Sequence, residues 1–195
     1  MREIEVKLRI AGVGRTRASL RRFGWRVSRK RHHERNAVYD RRGNVWLTTG
    51  RLLRVREAGK LCKLTVKIPI EHQEDYKILE EFEITADDPI QLARIIEALD
   101  FEPAWRYEKF RTEFRKPRER GKILIDETPI GDYLELEGAP QWIDRTAQRL
   151  GFSKEDYVVD SYRSLFVDYL DAKDSKPRDM LFGEKGLRGR PGAEK

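Results

Sequence analysis

Carboxylates stand at Glu3, Glu5, Glu81, Glu83, Asp126, Glu135 and Glu137, and cations at Lys7, Arg9, Arg54, Arg56, Lys63, Lys67, Lys109 and Arg111, many of them as like-charged pairs two residues apart. Guanidinium and ammonium groups fit phosphate oxygens, arginine with two parallel hydrogen bonds. Carboxylates grouped without His or Cys favour a hard cation such as Mg2+ or Mn2+. A triphosphate with bound metal would satisfy both populations. Two ions could activate a nucleophile and stabilise a leaving phosphate oxygen in one in-line displacement.

Other constellations are missing. There is no GxxxxGK[ST] loop, no HExxH and no GxSxG elbow, and His32-His33-Glu34 lacks metal-ligand spacing. The lone Cys62 excludes a disulfide framework or a CxxC pair, and its place among Lys and Leu suits packing better than nucleophilic attack.

Two-residue spacing needs strands. Ile4, Val6, Leu8 and Ile10 alternate with Glu3, Glu5, Lys7 and Arg9, which reads as a strand over residues 2–10. A short helix over Arg15 to Phe23 stops at Gly24, and an extended basic segment runs from Trp25 to Asp40. Successive antiparallel strands are expected at Val45 to Thr48, Arg51 to Arg56, Lys63 to Ile68 and Ile78 to Thr85, with more at Trp105 to Lys116, Lys122 to Asp126 and Asp132 to Glu137. Asp87-Asp88-Pro89 opens a helix with apolar residues at helical spacing, and further helices are expected near Gln141 to Leu150 and Ser161 to Tyr169.

Nearly every strand has one aliphatic face and one fully charged face. A one-sided sheet would also alternate, but its wet face would mix Thr, Ser and Gln with the charges. Like charges opposed across a ladder destabilise it by roughly 0.2–1 kcal/mol, so their concentration requires a counter-charge or ligand. If the helices cover the aliphatic faces of a strongly curved or closed sheet from outside, the charged faces point into a polar bore.

The chain has 195 residues and 38% charged side chains, with enough aromatic residues to organise a core. This suits one domain with an appendage rather than two large domains. Nine basic residues and one acid, Glu34, lie between Arg15 and Arg35, so the net charge of +7 is one patch that would attract polyanions or simply solvate a helix face. Residues 171–195 mix Lys, Arg, Asp, Gly and Pro without apolar periodicity and read as a flexible tail after a domain over residues 1–170. The N-terminal MREIEVKLRI has no continuous apolar run, so neither a signal peptide nor a membrane span is expected, and the expected compartment is the cytoplasm.

Glu3-Ile4-Glu5-Val6-Lys7 resembles the ExExK signature of the CYTH family, the triphosphate tunnel metalloenzymes, which includes class IV adenylate cyclases and thiamine triphosphatases. In family order follow VYD at 38–40, LLRVR at 52–56, LTVKIP at 64–69, EEFEI at 80–84, YEKFRTEF at 107–114 and IDETPIGDYLELEG at 125–138. SYRSLF at 161–166 is similar to a segment of the cyclase-like branch. The resemblance implies an α+β fold: an antiparallel eight-stranded β-barrel, or tunnel, with a charged interior and external helices. It implies that Glu3, Glu5, Glu135 and Glu137 bind Mg2+ or Mn2+, two ions in all, with Glu81 and Glu83 as further acidic lining and Asp126 near the metals. Lys7, Arg54, Arg56, Lys67, Lys109 and Arg111 would grip phosphates, with Lys63 less well matched, and Lys7 and Tyr39 are the candidates for a catalytic base. The implied activity is conversion of ATP to cyclic AMP and pyrophosphate. The alternatives are hydrolysis of tripolyphosphate, a nucleoside triphosphate or thiamine triphosphate, and non-catalytic binding of polyphosphate or RNA ends. The resemblance also makes a homodimer an expectation.

Overall fold

The computed structural model describes residues 1–72, 75–173, 178–184 and 187–191. The strands are β1 (Arg2–Ile10), β2 (Arg26–Asp40), β3 (Leu52–Ala58), β4 (Leu61–His72), β5 (Lys77–Ala86), β6 (Glu102–Arg115), β7 (Lys122–Thr128), β8 (Gly131–Glu137) and the two-residue β9 (Tyr157–Val158). The helices are α1 (Val13–Arg22), α2 (Val45–Thr48), α3 (Pro89–Ala98), α4 (Pro140–Arg149) and α5 (Tyr162–Asp171). The strands run antiparallel in the order β5-β4-β3-β2-β6-β7-β8-β1, and pairing of β1 with β5 closes the sheet into an eight-stranded barrel. β9 extends the closing edge by pairing with Lys7 and Leu8 of β1.

Alternation along these strands puts the apolar core outside the barrel. Val6, Leu8 and Ile10 of β1, Ile123 and Ile125 of β7, and Leu134 and Leu136 of β8 pack against Leu20 of α1 and Trp142, Ile143 and Ala147 of α4. Leu53, Val55 and Cys62 on the outer faces of β3 and β4 meet Leu92 and Ile96 of α3. The helix starts follow their sequence signals. The Asp88 carboxylate accepts the amides of Ile90 and Gln91 ahead of α3, with Pro89 in the first turn, and Ser161 Oγ accepts the Ser164 amide at α5.

Val45 to Thr48, expected as a strand, forms the helical turn α2 instead. The Asp40 carboxylate accepts the amides of Arg41, Trp46 and Leu47, so groups that a ladder would use are consumed by a local cap. Asn44 at φ 55° turns the chain into that helix.

α5 lies across one end of the barrel. Tyr162, Leu165 and Phe166 form a buried cluster with Val38, Trp105, Tyr107, Tyr133 and Met180. Within segment 171–195, expected as a flexible tail, the stretches around Met180 and Arg188 lie against the barrel, while 174–177, 185–186 and 192–195 fall outside the described residues. Met180 is fully buried and pairs with β6 through the Met180 amide to the Arg106 carbonyl and the Glu108 amide to the Met180 carbonyl. No described helix is long and apolar enough to cross a membrane.

Trp142 seats over Gly121 and Gly138, where a Cβ would come within 2.4 and 2.6 Å of the indole, and it meets Trp25 edge to face. Its indole N–H donates to Glu119 at 2.8 Å. Trp142→Ala is expected to cost about 3–5 kcal/mol of stability, read from urea unfolding, because the glycine-lined socket cannot collapse around a methyl group.

Candidate functional site

The barrel encloses a cavity of about 640 Å³ lined by inward-facing charges. Cross-strand register assembles it. Glu5 sits opposite Glu137 and Lys7 opposite Glu135 across β1 and β8, while Glu5 faces Lys77 across β1 and β5. On the far wall Arg54 faces Thr65 and Arg56 faces Lys63, and Lys67 faces Glu81. Glu3, Glu5 and Glu137 each offer a carboxylate oxygen, and these oxygens lie within 4.8 Å of one another. Every member of that trio is also tied to lysine: Glu3 to Lys67, Glu5 to Lys7 at 3.2 Å and Lys77 at 3.4 Å, and Glu137 to Lys122 at 2.5 Å.

The remaining expected acids stand apart from the trio. Glu81 and Glu83 line the wall, but Glu81 lies 3.7 Å from Lys67 and Glu83 pairs with Lys63. Glu135 pairs with Arg111. Asp126, expected near the metals, is instead fully buried beneath the cations. It accepts Lys109 at 2.6 Å, two bonds from Arg111 at 2.7 and 2.6 Å, and the Tyr162 hydroxyl at 2.9 Å. Burial alone would raise its pKa, but Arg111 and Lys109 outweigh that and hold the carboxyl well below its usual range. Asp126 therefore braces Lys109 and Arg111, accepting three bonds on Oδ2 and one on Oδ1.

The expected cations converge. Arg54 donates to the Tyr107 hydroxyl at 3.2 Å, and Arg56 donates to Asn36 at 3.1 Å with Glu34 3.4 Å away. Lys7 donates to Glu5 and to the Asp160 carbonyl at 3.1 Å. Burial would lower the Lys7 pKa, but Glu5 and Glu135 raise it above the ordinary lysine value, so Lys7 is held as an ammonium. That state suits gripping phosphate rather than accepting a proton. Tyr39, the other candidate base, is not brought to the cavity. Its ring lies in the outer core with Leu53, Val55 and Phe101, because β2 turns that face outward. Arg9 lies with its guanidinium over the Tyr133 ring at 5.2 Å.

Several groups escaped the sequence reading. Lys77 shares the inward parity of Glu81 and Glu83, and Lys122 that of Asp126, so strand alternation could have found both. Burial, with Lys7 and Lys67 adding to it against Glu5, holds the Lys77 pKa below the ordinary lysine value. Glu34 was visible only as the one acid in a basic run. It is fully buried, with Arg56 3.4 Å and Lys109 3.8 Å away. Tyr162 lies in the SYRSLF match at 161–166, which assigned it no role. Its ring lies under two ammonium groups, Lys7 at 5.3 Å and Lys109 at 5.1 Å. Near this helix the cavity wall becomes apolar, with Leu47, Leu52, Trp105 and Tyr107.

The trio fits a hard divalent cation. Its donors are all carboxylate oxygens; burial first, then Glu3 and Glu135 against Lys122 and Arg111, pushes the Glu137 carboxyl up to about 7, whereas Lys7, Lys77 and Lys67 outweigh burial and hold Glu5 well below the usual range. Lys122 is only 2.5 Å away but its side chain is 32% exposed, so solvent screens part of its compensation.

A family model described as CYTH domain matches residues 1–162. No curated protein sequence matches the chain. Among solved structures, a Vibrio parahaemolyticus protein described as a candidate adenylate cyclase is 17% identical with a TM-score of 0.74, covering 85% of this chain and 97% of that one. The PH1012 protein from Pyrococcus horikoshii is 20% identical with a TM-score of 0.71, covering 84% and 98%. The Hippeastrum adenylyl cyclase candidate HpAC1, described as having a dominant triphosphatase activity, is 18% identical with a TM-score of 0.61, covering 85% and 95%.

Because folded Glu137 keeps its proton to about pH 7 and an unfolded glutamate releases it near 4.5, its contribution to stability is full below 4.5 and is lost as pH rises to 7. In chelator, raising the pH from 5 to 8 is expected to remove on the order of 3 kcal/mol through this group. Urea unfolding of Glu137→Gln across that range should lack this loss.

Proposed function

The chain belongs to the CYTH family, and on that premise we propose that it is a metal-dependent enzyme acting on a triphosphate, converting ATP to cyclic AMP and pyrophosphate. One observation carries this reading. A three-carboxylate cluster and a set of buried arginines and lysines face one another inside one enclosed cavity.

In this reading Glu3, Glu5 and Glu137 hold Mg2+ or Mn2+, with Glu135, Glu81 and Glu83 adding negative potential around them. When bound, the metal would supply charge neutralisation at the phosphates and polarise the oxygens of the attacked phosphorus. Arg54, Arg56, Lys67, Lys109 and Arg111, with Lys7, grip the phosphate chain. Arg111 and Lys109 are held rigid by Asp126, so their donors are oriented before substrate arrives. Attack of the 3′-hydroxyl oxygen on the α-phosphorus would form the cyclic ester as the α–β phosphoanhydride bond breaks, the hydroxyl proton leaving with the pyrophosphate, and a clamp that fixes the phosphate chain lowers the entropic cost of that displacement. The apolar end of the cavity at Leu47, Leu52, Trp105 and Tyr107 favours a substrate with an organic head over bare tripolyphosphate.

Hydrolysis of the terminal phosphate of a nucleotide, tripolyphosphate or thiamine triphosphate is the second reading. It uses the same clamp, and the activity described for the Hippeastrum neighbour favours it. Non-catalytic polyanion binding would instead draw on the exposed arginines of α1 and early β2, such as Arg21, Arg22 and Arg26.

Incubation with ATP and Mn2+ or Mg2+ should yield cyclic AMP and pyrophosphate; ADP and orthophosphate would select the hydrolytic reading. Glu3→Ala and Glu5→Ala are each expected to lower turnover at least about 100-fold, the scale on which even indirect metal support acts. Absence of turnover of ATP, tripolyphosphate and thiamine triphosphate with either metal would defeat both enzymatic readings.

A further inference from the structure

The three clustered carboxylates are each occupied by lysine ammonium groups drawn from four different strands: Lys67 of β4 on Glu3, Lys7 of β1 and Lys77 of β5 on Glu5, and Lys122 of β7 on Glu137. A divalent cation and an ammonium group compete for the same oxygens, so an ion seated on the trio must displace lysines. The arginines differ. Arg111 is locked on Asp126 by two bonds and paired with Glu135, and has no reason to move when the trio is filled. A lysine is a point charge on a flexible stem and can turn.

A displaced lysine has few destinations. The Lys7, Lys67 and Lys77 side chains are 3%, 12% and 26% exposed, and all line the cavity with Lys122. Most of the cavity's other carboxylates already hold partners, Glu135 with Arg111, Glu83 with Lys63 and Glu113 with Arg29. An unpaired ammonium in such a wall is costly, and a phosphate oxygen in the same cavity removes that cost.

We propose that Lys77 and Lys122 are exchange lysines: in the metal-free protein they hold Glu5 and Glu137, and on metal entry they turn to the phosphate chain, so that metal and triphosphate bind cooperatively. The inference rests on the reading that this bore takes a metal and a triphosphate, and it adds two phosphate-binding residues to that reading. The coupling must be reciprocal, each ligand tightening the other by the same factor.

Exchange predicts opposite signs for the two ligands, which a merely structural lysine would not produce. Calorimetry on the full chain would use Mn2+ alone, then tripolyphosphate with and without saturating Mn2+. Lys77→Met should bind Mn2+ alone about 3–10-fold more tightly, having lost a competing cation, and tripolyphosphate with Mn2+ about 10-fold more weakly. The factor by which Mn2+ tightens tripolyphosphate binding should fall about five-fold or more. Lys122→Met, at a lysine with a 32% exposed side chain, should show the same signs and carries the test if Lys77→Met does not fold. Lys77→Arg, which keeps the charge, should lie closer to wild type in both titrations. Unchanged or weaker Mn2+ binding in both Met variants, unchanged tripolyphosphate binding, or an unchanged factor by which Mn2+ tightens tripolyphosphate, as a fixed nearby charge would give, overturns the exchange. A wild-type chain that binds neither ligand overturns the underlying functional reading instead.

Discussion

Buried charge is tolerated in this fold only because acids and bases are interleaved around one closed bore. Isolated ions in such a wall would cost several kcal/mol each, and a bore of one sign would oppose its own closure. The ladder places Lys7 beside Glu135, Glu5 beside Lys77 and Arg111 beside Asp126, so compensation is built strand by strand. Compensation is incomplete at Glu137, whose carboxyl is pushed up to about 7, while Lys7, Lys77 and Lys67 hold the neighbouring Glu5 well below the usual carboxylate range.

The apolar parts of the chain make this arrangement possible by leaving the interior. With the cores between barrel and helices, the barrel needs no greasy filling, and its bore is free to be a site. The exception is the end covered by α5. There the aromatic cluster of Trp105, Tyr107, Tyr133 and Tyr162 meets the charged belt, and two of its hydroxyls reach into that belt, Tyr107 to Arg54 and Tyr162 to Asp126. Met180 and Arg188 fasten the chain beyond α5 against the same end, Arg188 through the Thr128 carbonyl and Asp132. Packing under α5 and orientation of the cations are therefore one system.

Much of the barrel was legible because a period of two is a local property. Ile4, Val6, Leu8 and Ile10 against Glu3, Glu5, Lys7 and Arg9 define two faces whatever the partner strand is. The reading failed where a side chain overruled the pattern. Val45 to Thr48 has strand-like residues, but Asp40 captures the amides of Trp46 and Leu47 and winds the segment into a turn. Tyr39 was credited with chemistry from its motif, and its parity on β2 sends it outward.

The candidate site divides along the same line. Residue types and spacing alone determined that acids and cations would share inward faces, and hence that a metal and a phosphate chain were the chemistry to expect. Only the tertiary structure decided which acids meet which cations, because register and closure join residues far apart in the chain: Glu3 and Glu5 with Glu137, Lys77 with Glu5, Tyr162 with Asp126. Asp126 and Glu137 carry the same charge on neighbouring strands, yet one is saturated by guanidinium and ammonium donors while the other is pushed to about 7 among fellow acids. That difference is set by distance in three dimensions, through desolvation and Coulomb interaction, and no local stretch of sequence encodes it.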